Sequence, residues 1–217
     1  MDSPATPLWF PDPRQARRDG LVAIGGDLSV QRLLLAYRNG IFPWSIRPVT
    51  WWSPDPRGVL DLGRMHIARS LARTLRQGRF EVTFDRAFRE VIEGCARAPR
   101  ADGKTWISPD FIDAYIALYE AGYAHSVECW REGTLAGGLY GVAVGGLFAG
   151  ESMFHIEDDA SKVAVVRVAE HLQRRGFSLF DVQMVTPTTV SLGAIEIPRE
   201  AYLQRLKAAV ALPCRFA

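Results

Sequence analysis

Two places in this sequence hold side chains whose type and setting could do chemistry. The first is Glu151, the one carboxylate in the glycine-rich stretch Gly141–Phe154. The second is Asp181-Val-Gln183, inside the apolar run Leu179–Met184. On a strand, residues two apart send their side chains to one face. Two polar groups on one face of an apolar strand need partners or water. Either the pair faces a site with Glu151, or it belongs to an edge strand with one wet face. The cysteines (Cys95, Cys129, Cys214) form no CxxC pair, and the histidines (His66, His125, His155, His171) form no HxxxH or HxH pair, so neither a disulfide framework nor a metal site is expected.

Glu151 is positioned by two short β-type runs, Leu135–Val144 and Leu147–Phe154, joined by Gly145-Gly146. Such a glycine pair suits a tight hairpin turn with positive φ. Further glycines at 137, 138, 141 and 150 remove side chains from the sheet, and strand glycine marks close approach of a ligand or another backbone. The hairpin is therefore expected to floor a binding cleft. Two plainer readings compete: an ordinary buried hairpin, or a membrane helix, because residues 133–150 carry no charge and place glycines at 133, 137, 141 and 145. The run is barely long enough to span and is rich in glycine rather than leucine.

Around the hairpin, the sequence predicts both helices and strands. Ser29 can cap a helix through Leu33, Leu34 and Tyr37, stopped at Gly40. A helix is expected over Met65–Gln77, then a strand at Phe80–Phe84, and a helix through Phe88, Val91 and Ile92 capped by Asp85. Ser108-Pro109-Asp110 starts another helix after a loop that holds Trp106. His125–Trp130 is a strand, Ser161–Arg175 a helix, Leu179–Met184 a strand and Arg199–Lys207 a last helix. This order predicts an α+β or mixed α/β fold. A small N-terminal domain, residues 1–62, collects Trp9, Trp44, Trp51 and Trp52 with many of the prolines, and a second domain spans 63–217.

At 217 residues, 48% hydrophobic and 23% charged, the composition is that of a soluble globular protein. Met1-Asp-Ser-Pro-Ala5 has no signal-like character, which with the unpaired cysteines suggests the cytoplasm. Net charge is only +2, yet nine arginines lie between Arg64 and Arg100 against four acids. Arg69, Arg73 and Arg76 share one helical face. Such a stripe fits phosphate contacts that position a nucleic acid, or it is simply a solvated face. Gly103-Lys-Thr105 is not a phosphate loop, because no glycine sits at 98.

The hairpin, helix, strand order resembles the acetyltransferase (GNAT-like) core, a mixed sheet with flanking helices. The nearest match to its CoA loop, Gln173-Arg-Arg-Gly176-Phe-Ser178, ends in serine and closes a helix, so CoA is not expected. Seven blocks in order go further: Gly25-Gly-Asp-Leu28, Tyr37-x-x-Gly-Ile-Phe-Pro-Trp44, Trp51-Trp-Ser-Pro-Asp-Pro-Arg57, Gly150-Glu-Ser-Met-Phe154, Ala160-Ser-Lys162, Asp181-x-Gln183 and Ser191-Leu-Gly-Ala194. Together they resemble the leucyl/phenylalanyl-tRNA–protein transferase family.

That resemblance implies an enzyme without cofactor or metal. It would move leucine or phenylalanine, less readily methionine, from aminoacyl-tRNA to proteins beginning with arginine or lysine, marking them for degradation by the bacterial N-degron route. Asp181 and Gln183 would form a relay that helps remove the amine proton, and Glu151 would hold the amine or the ribose edge. A carboxylate is a poor base toward an ammonium, so orientation and charge stabilisation are favoured over general-base catalysis. Trp44 and Trp106 would stack on the terminal adenosine, with Phe148 near the reacting centre. Leu139, Met153, Val165 and Val168 would line a pocket that rejects β-branched side chains by shape. Arg69, Arg73 and Arg76 would meet the acceptor stem. One departure stands out: the family usually has histidine where this chain has Thr188. A CoA-dependent N-acetyltransferase and a non-catalytic tRNA-binding module remain as alternatives.

Overall fold

The computed structural model describes residues 8–99 and 105–217. Arg100 and the Gly103-Lys104 part of the rejected phosphate-loop match lie outside the described residues. The chain begins with β1 (Leu21–Ile24), α1 (Val30–Arg38), β2 (Phe42–Ile46) and β3 (Val49–Trp52). These strands form a small antiparallel sheet in the order β1-β3-β2. Then follow β4 (Arg57–Leu60), α2 (Arg69–Arg76), β5 (Glu81–Phe84), α3 (Phe88–Arg97), α4 (Pro109–Glu120), β6 (Ala124–Arg131), β7 (Thr134–Val144), β8 (Leu147–His155), α5 (Ala160–Arg174), β9 (Leu179–Gln183), α6 (Pro187–Ser191), β10 (Ile195–Ile197) and α7 (Arg199–Val210). A seven-stranded sheet runs β10-β4-β9-β8-β7-β6-β5. Among the described residues only β8 and β9 pair parallel; α5 is the crossover between them. The architecture is the expected α+β one, a small N-terminal unit and a mixed sheet with flanking helices. β4, which precedes residue 62, pairs into the large sheet.

One sheet face is covered by α1, α3 and α4, whose Leu33, Val91, Phe111 and Tyr115 pack against Tyr140, Val142 and Ala149. The other face is covered by α5, whose Ala164, Val165 and Val168 meet Leu139, Phe148 and Phe180. Helix α7 closes the β9 end with Tyr202, Leu203 and Leu206 against Leu147 and Leu179.

Local signals account for several boundaries. Ser29 Oγ accepts from the Arg32 amide and Ser108 Oγ from the Phe111 amide, each satisfying an orphan donor of a first turn. Gly40 takes φ +73° after α1, where a Cβ would lie 2.8 Å from the Tyr202 ring. Only glycine permits that turn and that approach.

Other expectations need correction. Asp85 does not cap α3. It sits at φ +58° and its carboxylate accepts from the Ser126 amide and pairs with His125 Nδ1. Glu128 on β6, fully buried, reaches the Arg86 and Ala87 amides at that helix start instead. Helix α2 begins at Arg69 rather than Met65, because the His66 amide bonds the Leu192 carbonyl outside any helix. No helix among the described residues is long and apolar enough to cross a membrane; the 133–150 run is the β7–β8 hairpin, turning at Gly145 with φ +57°. Its glycines mostly answer to the protein itself. A Cβ at Gly138 would lie 2.5 Å from the Val127 carbonyl oxygen and one at Gly141 2.5 Å from that of Ala149.

Candidate active site

Strand β9 carries the decisive irregularity. Opposite it, Gly58 pairs with Gln183 and Val59 with Asp181, so Val182 is an extra residue, a β-bulge. Gly58 makes room for it: a Cβ there would lie 3.0 Å from the Met184 backbone and 3.1 Å from Val182. At the bulge Gln183 takes φ +61°, unusual for a residue with a side chain. The Met184 amide bonds the Val182 carbonyl at 2.7 Å, closing a three-residue turn centred on Gln183. The Gln183 amide is held at 2.8 Å by Asp181 Oδ1. The turn re-aims the glutamine side chain, whose Nε2 donates to Glu151 Oε1 at 2.7 Å.

Asp181 is itself held from every side. Arg57 donates to both its oxygens, from Nε at 2.9 Å and Nη2 at 2.7 Å, and the Tyr202 hydroxyl donates at 2.7 Å. With the Gln183 amide this makes four donors, about what two carboxylate oxygens accept. Arg57 completes its own set with the Gly40 carbonyl at 3.0 Å, between the rings of Phe42 and Tyr202. Burial alone would lower the Arg57 pKa, but the adjoining Asp181 carboxylate more than offsets it and the pKa is raised. Arg57 and Asp181 are each 1% exposed.

Glu151 lies differently. It is half-buried, with one edge on a cavity. Tyr115 donates to its Oε2 at 3.0 Å, and since each phenol has one proton, Tyr37 donates to Tyr115 behind it. Burial pushes the Glu151 carboxyl up to about 7; the Tyr37 and Tyr115 hydroxyls and Arg57 oppose the rise and Asp181 adds to it. Glu151 is thus a carboxyl poised near neutrality, bonded to an amide.

The cavity holds about 380 Å³. Glu151 and Gln183 line it, together with the apolar Leu139, Met153, Val165 and Phe180 and the indoles of Trp44 and Trp106. Not all the expected residues reach it. Phe148 and Val168 are fully buried and do not line it; Phe148 packs edge-on beneath Phe180, with ring centroids 5.4 Å apart. Asp181 does not line it either, and its link to Gln183 runs to the backbone amide rather than the side chain. Arg69, Arg73 and Arg76 lie exposed on α2. Thr188 does not line the cavity; its carbonyl accepts from Ser191 Oγ, and its neighbours Thr186 and Thr189 are the lining residues of that turn. The segment Gln173–Gly176 closes α5 and opens no helix, which removes the CoA-loop reading.

Sequence reading missed Arg57, Tyr202, Tyr37 and Tyr115 as parts of one network. Arg57 and Tyr37 stand in conspicuous blocks, but nothing local says that they meet Asp181 and Glu151.

Comparison with known proteins places the chain among the aminoacyltransferases. A model described as leucyl/phenylalanyl-tRNA protein transferase matches residues 59–207, and the model of that enzyme's N-terminal domain matches 26–55. Proteins named leucyl/phenylalanyl-tRNA–protein transferase are 55% identical over 203 residues in Syntrophotalea carbinolica (92% of this chain, 88% of that protein) and 57% identical over 197 in Aromatoleum aromaticum (89% and 83%). The chain belongs to the leucyl/phenylalanyl-tRNA–protein transferase family. Among solved structures, the C-terminal domain of a putative lysylphosphatidylglycerol synthetase from Agrobacterium fabrum is 15% identical, covering 72% of this chain and 52% of that one at a TM-score of 0.41.

Replacing Asp181 by alanine would leave Arg57 charged and buried without its partner. Loss of one member of a buried pair costs about 3–5 kcal/mol. Denaturant unfolding of Asp181→Ala should show a loss of that size, and a loss below about 1 kcal/mol would contradict the buried-pair account.

Proposed function

We propose that the protein transfers leucine or phenylalanine, less readily methionine, from aminoacyl-tRNA to the α-amine of proteins beginning with arginine or lysine, in the cytoplasm, marking them for degradation. One observation carries the reading. The Glu151–Gln183 hydrogen bond borders a cavity whose lining is largely apolar and includes two tryptophans. An esterified amino acid would put its side chain on Leu139, Met153 and Val165, its adenosine against Trp44 and Trp106, and its carbonyl near Gln183.

The acceptor's neutral amine attacks the ester carbonyl. A C–N bond forms, the ester C–O bond breaks, and the terminal ribose oxygen leaves with a proton. The ester is already activated, so holding the partners together supplies much of the rate. Gln183, bonded to a carboxylate through its NH₂, keeps its amide oxygen as acceptor for the incoming N–H. Glu151 suits the proton better than Asp181. Its carboxyl titrates near 7, within about a unit of an α-amine at roughly 7.7–8.0. The proposal thus gives Glu151 a part in proton removal beside the orienting role expected from the sequence. Asp181, Arg57, Tyr202, Tyr37 and Tyr115 are positioning residues, and Phe148 and Val168 support the pocket from behind.

Purified protein, leucyl-tRNA and a peptide beginning with arginine test the reading; no leucine on the peptide would overturn it. Because the folded Glu151 pKa is raised, its carboxylate forms only as pH rises through about 7. Turnover should therefore climb across that range. Glu151→Gln should lose at least about 100-fold in kcat and the Glu151 limb of the profile. A profile identical to the wild type's would remove Glu151 from the proton path.

The exposed stripe Arg69, Arg73 and Arg76 is proposed to contact tRNA phosphates. Changing all three to alanine should weaken tRNA binding and reduce the slope of log affinity against log salt by roughly 2–3. An unchanged slope would move the tRNA path elsewhere.

A further inference from the structure

Beside the cavity, across Trp44 and Met184, lies a second and shallower hollow. Both residues wall both spaces, and Met184 directly follows Gln183. Its other walls include Trp52, Pro54 and Asp19. The indoles of Trp44 and Trp52 meet edge to face, with centroids 5.9 Å apart. The neutral polar groups lining the hollow are already engaged. Ser45 Oγ donates to the Pro48 carbonyl, Thr50 Oγ1 donates to Ser45, and Trp52 Nε1 donates to Thr50. Asp19 supplies the hollow's charge.

Asp19 is held there by the fold. Its Oδ1 accepts from the Leu21 amide at 3.2 Å. The next residue, Gly20, takes φ +93° and lies so close to Pro54 that a Cβ would fall 2.9 Å from the proline Cα. Oδ2 meets Arg17 at 2.9 Å, but Arg17 is 68% exposed and Asp19 45%. An ion pair that open is weak and salt-screened, so an arriving cation can replace Arg17. Aromatic faces with a carboxylate at the rim are a recognition surface for a guanidinium or ammonium.

We propose that this hollow receives the cationic first side chain of the acceptor protein, with Asp19 and Trp52 as specificity-determining residues. The inference rests on the transferase reading above. An acceptor whose α-amine meets Gln183 and Glu151 would extend its first side chain past Met184 into the hollow. Trp44 would then serve two ligands, the aminoacyl-adenosine on one side and the acceptor on the other.

The test compares leucine transfer to two peptides identical except for the first residue, arginine or its neutral isostere citrulline. Asp19→Asn keeps the Oδ1 acceptor for Leu21 and removes the charge. It should raise KM for the arginine peptide roughly two- to fivefold, the size of one partly exposed charge contact, and shrink the arginine-over-citrulline preference by the same factor. Trp52→Phe should raise the same KM with a smaller loss of preference. Unchanged preference in Asp19→Asn overturns the proposal, as does an equal rise in KM for leucyl-tRNA. Wild-type protein that gives leucine to neither peptide overturns the transferase reading and this proposal with it. Wild-type transfer with unaltered Asp19→Asn kinetics overturns this proposal alone.

Discussion

A guanidinium and a carboxylate buried together, Arg57 against Asp181, set the geometry on which the rest of the molecule depends. Taking two charges out of water is costly, and the pair persists because every donor and acceptor is matched. Arg57 joins the Gly40 carbonyl after α1, the Phe42 ring on β2 and Tyr202 on α7. Asp181 joins those groups to the backbone of Gln183. One ion pair therefore ties the small N-terminal sheet, the last helix and the bulged strand into a single positioning device. Net stability is a poor explanation for such a pair, since apolar residues would fill the space as well. Fixing one glutamine in a disfavoured backbone conformation is a better one.

The chemistry follows from contrast between two carboxylates on neighbouring strands. Asp181 is saturated with donors, among them a full positive charge, and never reaches the cavity. Glu151 has neutral phenols and one amide around it and stands at the cavity edge, so burial lifts its carboxyl toward neutrality. The two environments suit the two roles proposed above, one carboxylate for geometry and one for the proton.

What could be read from the sequence was what local rules govern. The Ser29 and Ser108 caps, the stop at Gly40 and the Gly145 turn all follow from neighbours within a few residues. Polar residues in apolar strands pointed to Glu151 and Gln183, and the two are bonded. Strand period gives the face of Asp181 but not that α7 covers it, so its burial was not legible. Val165 and Val168 share a side of α5, yet depth along the helix separates lining from support. Asp85 looked like a cap because its type and place suit one, but Glu128 arrives from a strand about 40 residues away in the chain. Arg57, Tyr202, Tyr37 and Tyr115 are brought together only by the fold, and no spacing announces them.

The most direct test separates positioning from stability. The double variant Arg57→Met/Asp181→Leu replaces the ion pair with apolar groups of similar size. Its unfolding free energy should recover most of what Asp181→Ala loses, because no charge is left stranded. Leucine transfer should nonetheless stay at least about 100-fold below wild type, because the Gln183 amide has lost its acceptor and the glutamine its aim. Wild-type turnover in a stable double variant would contradict the account.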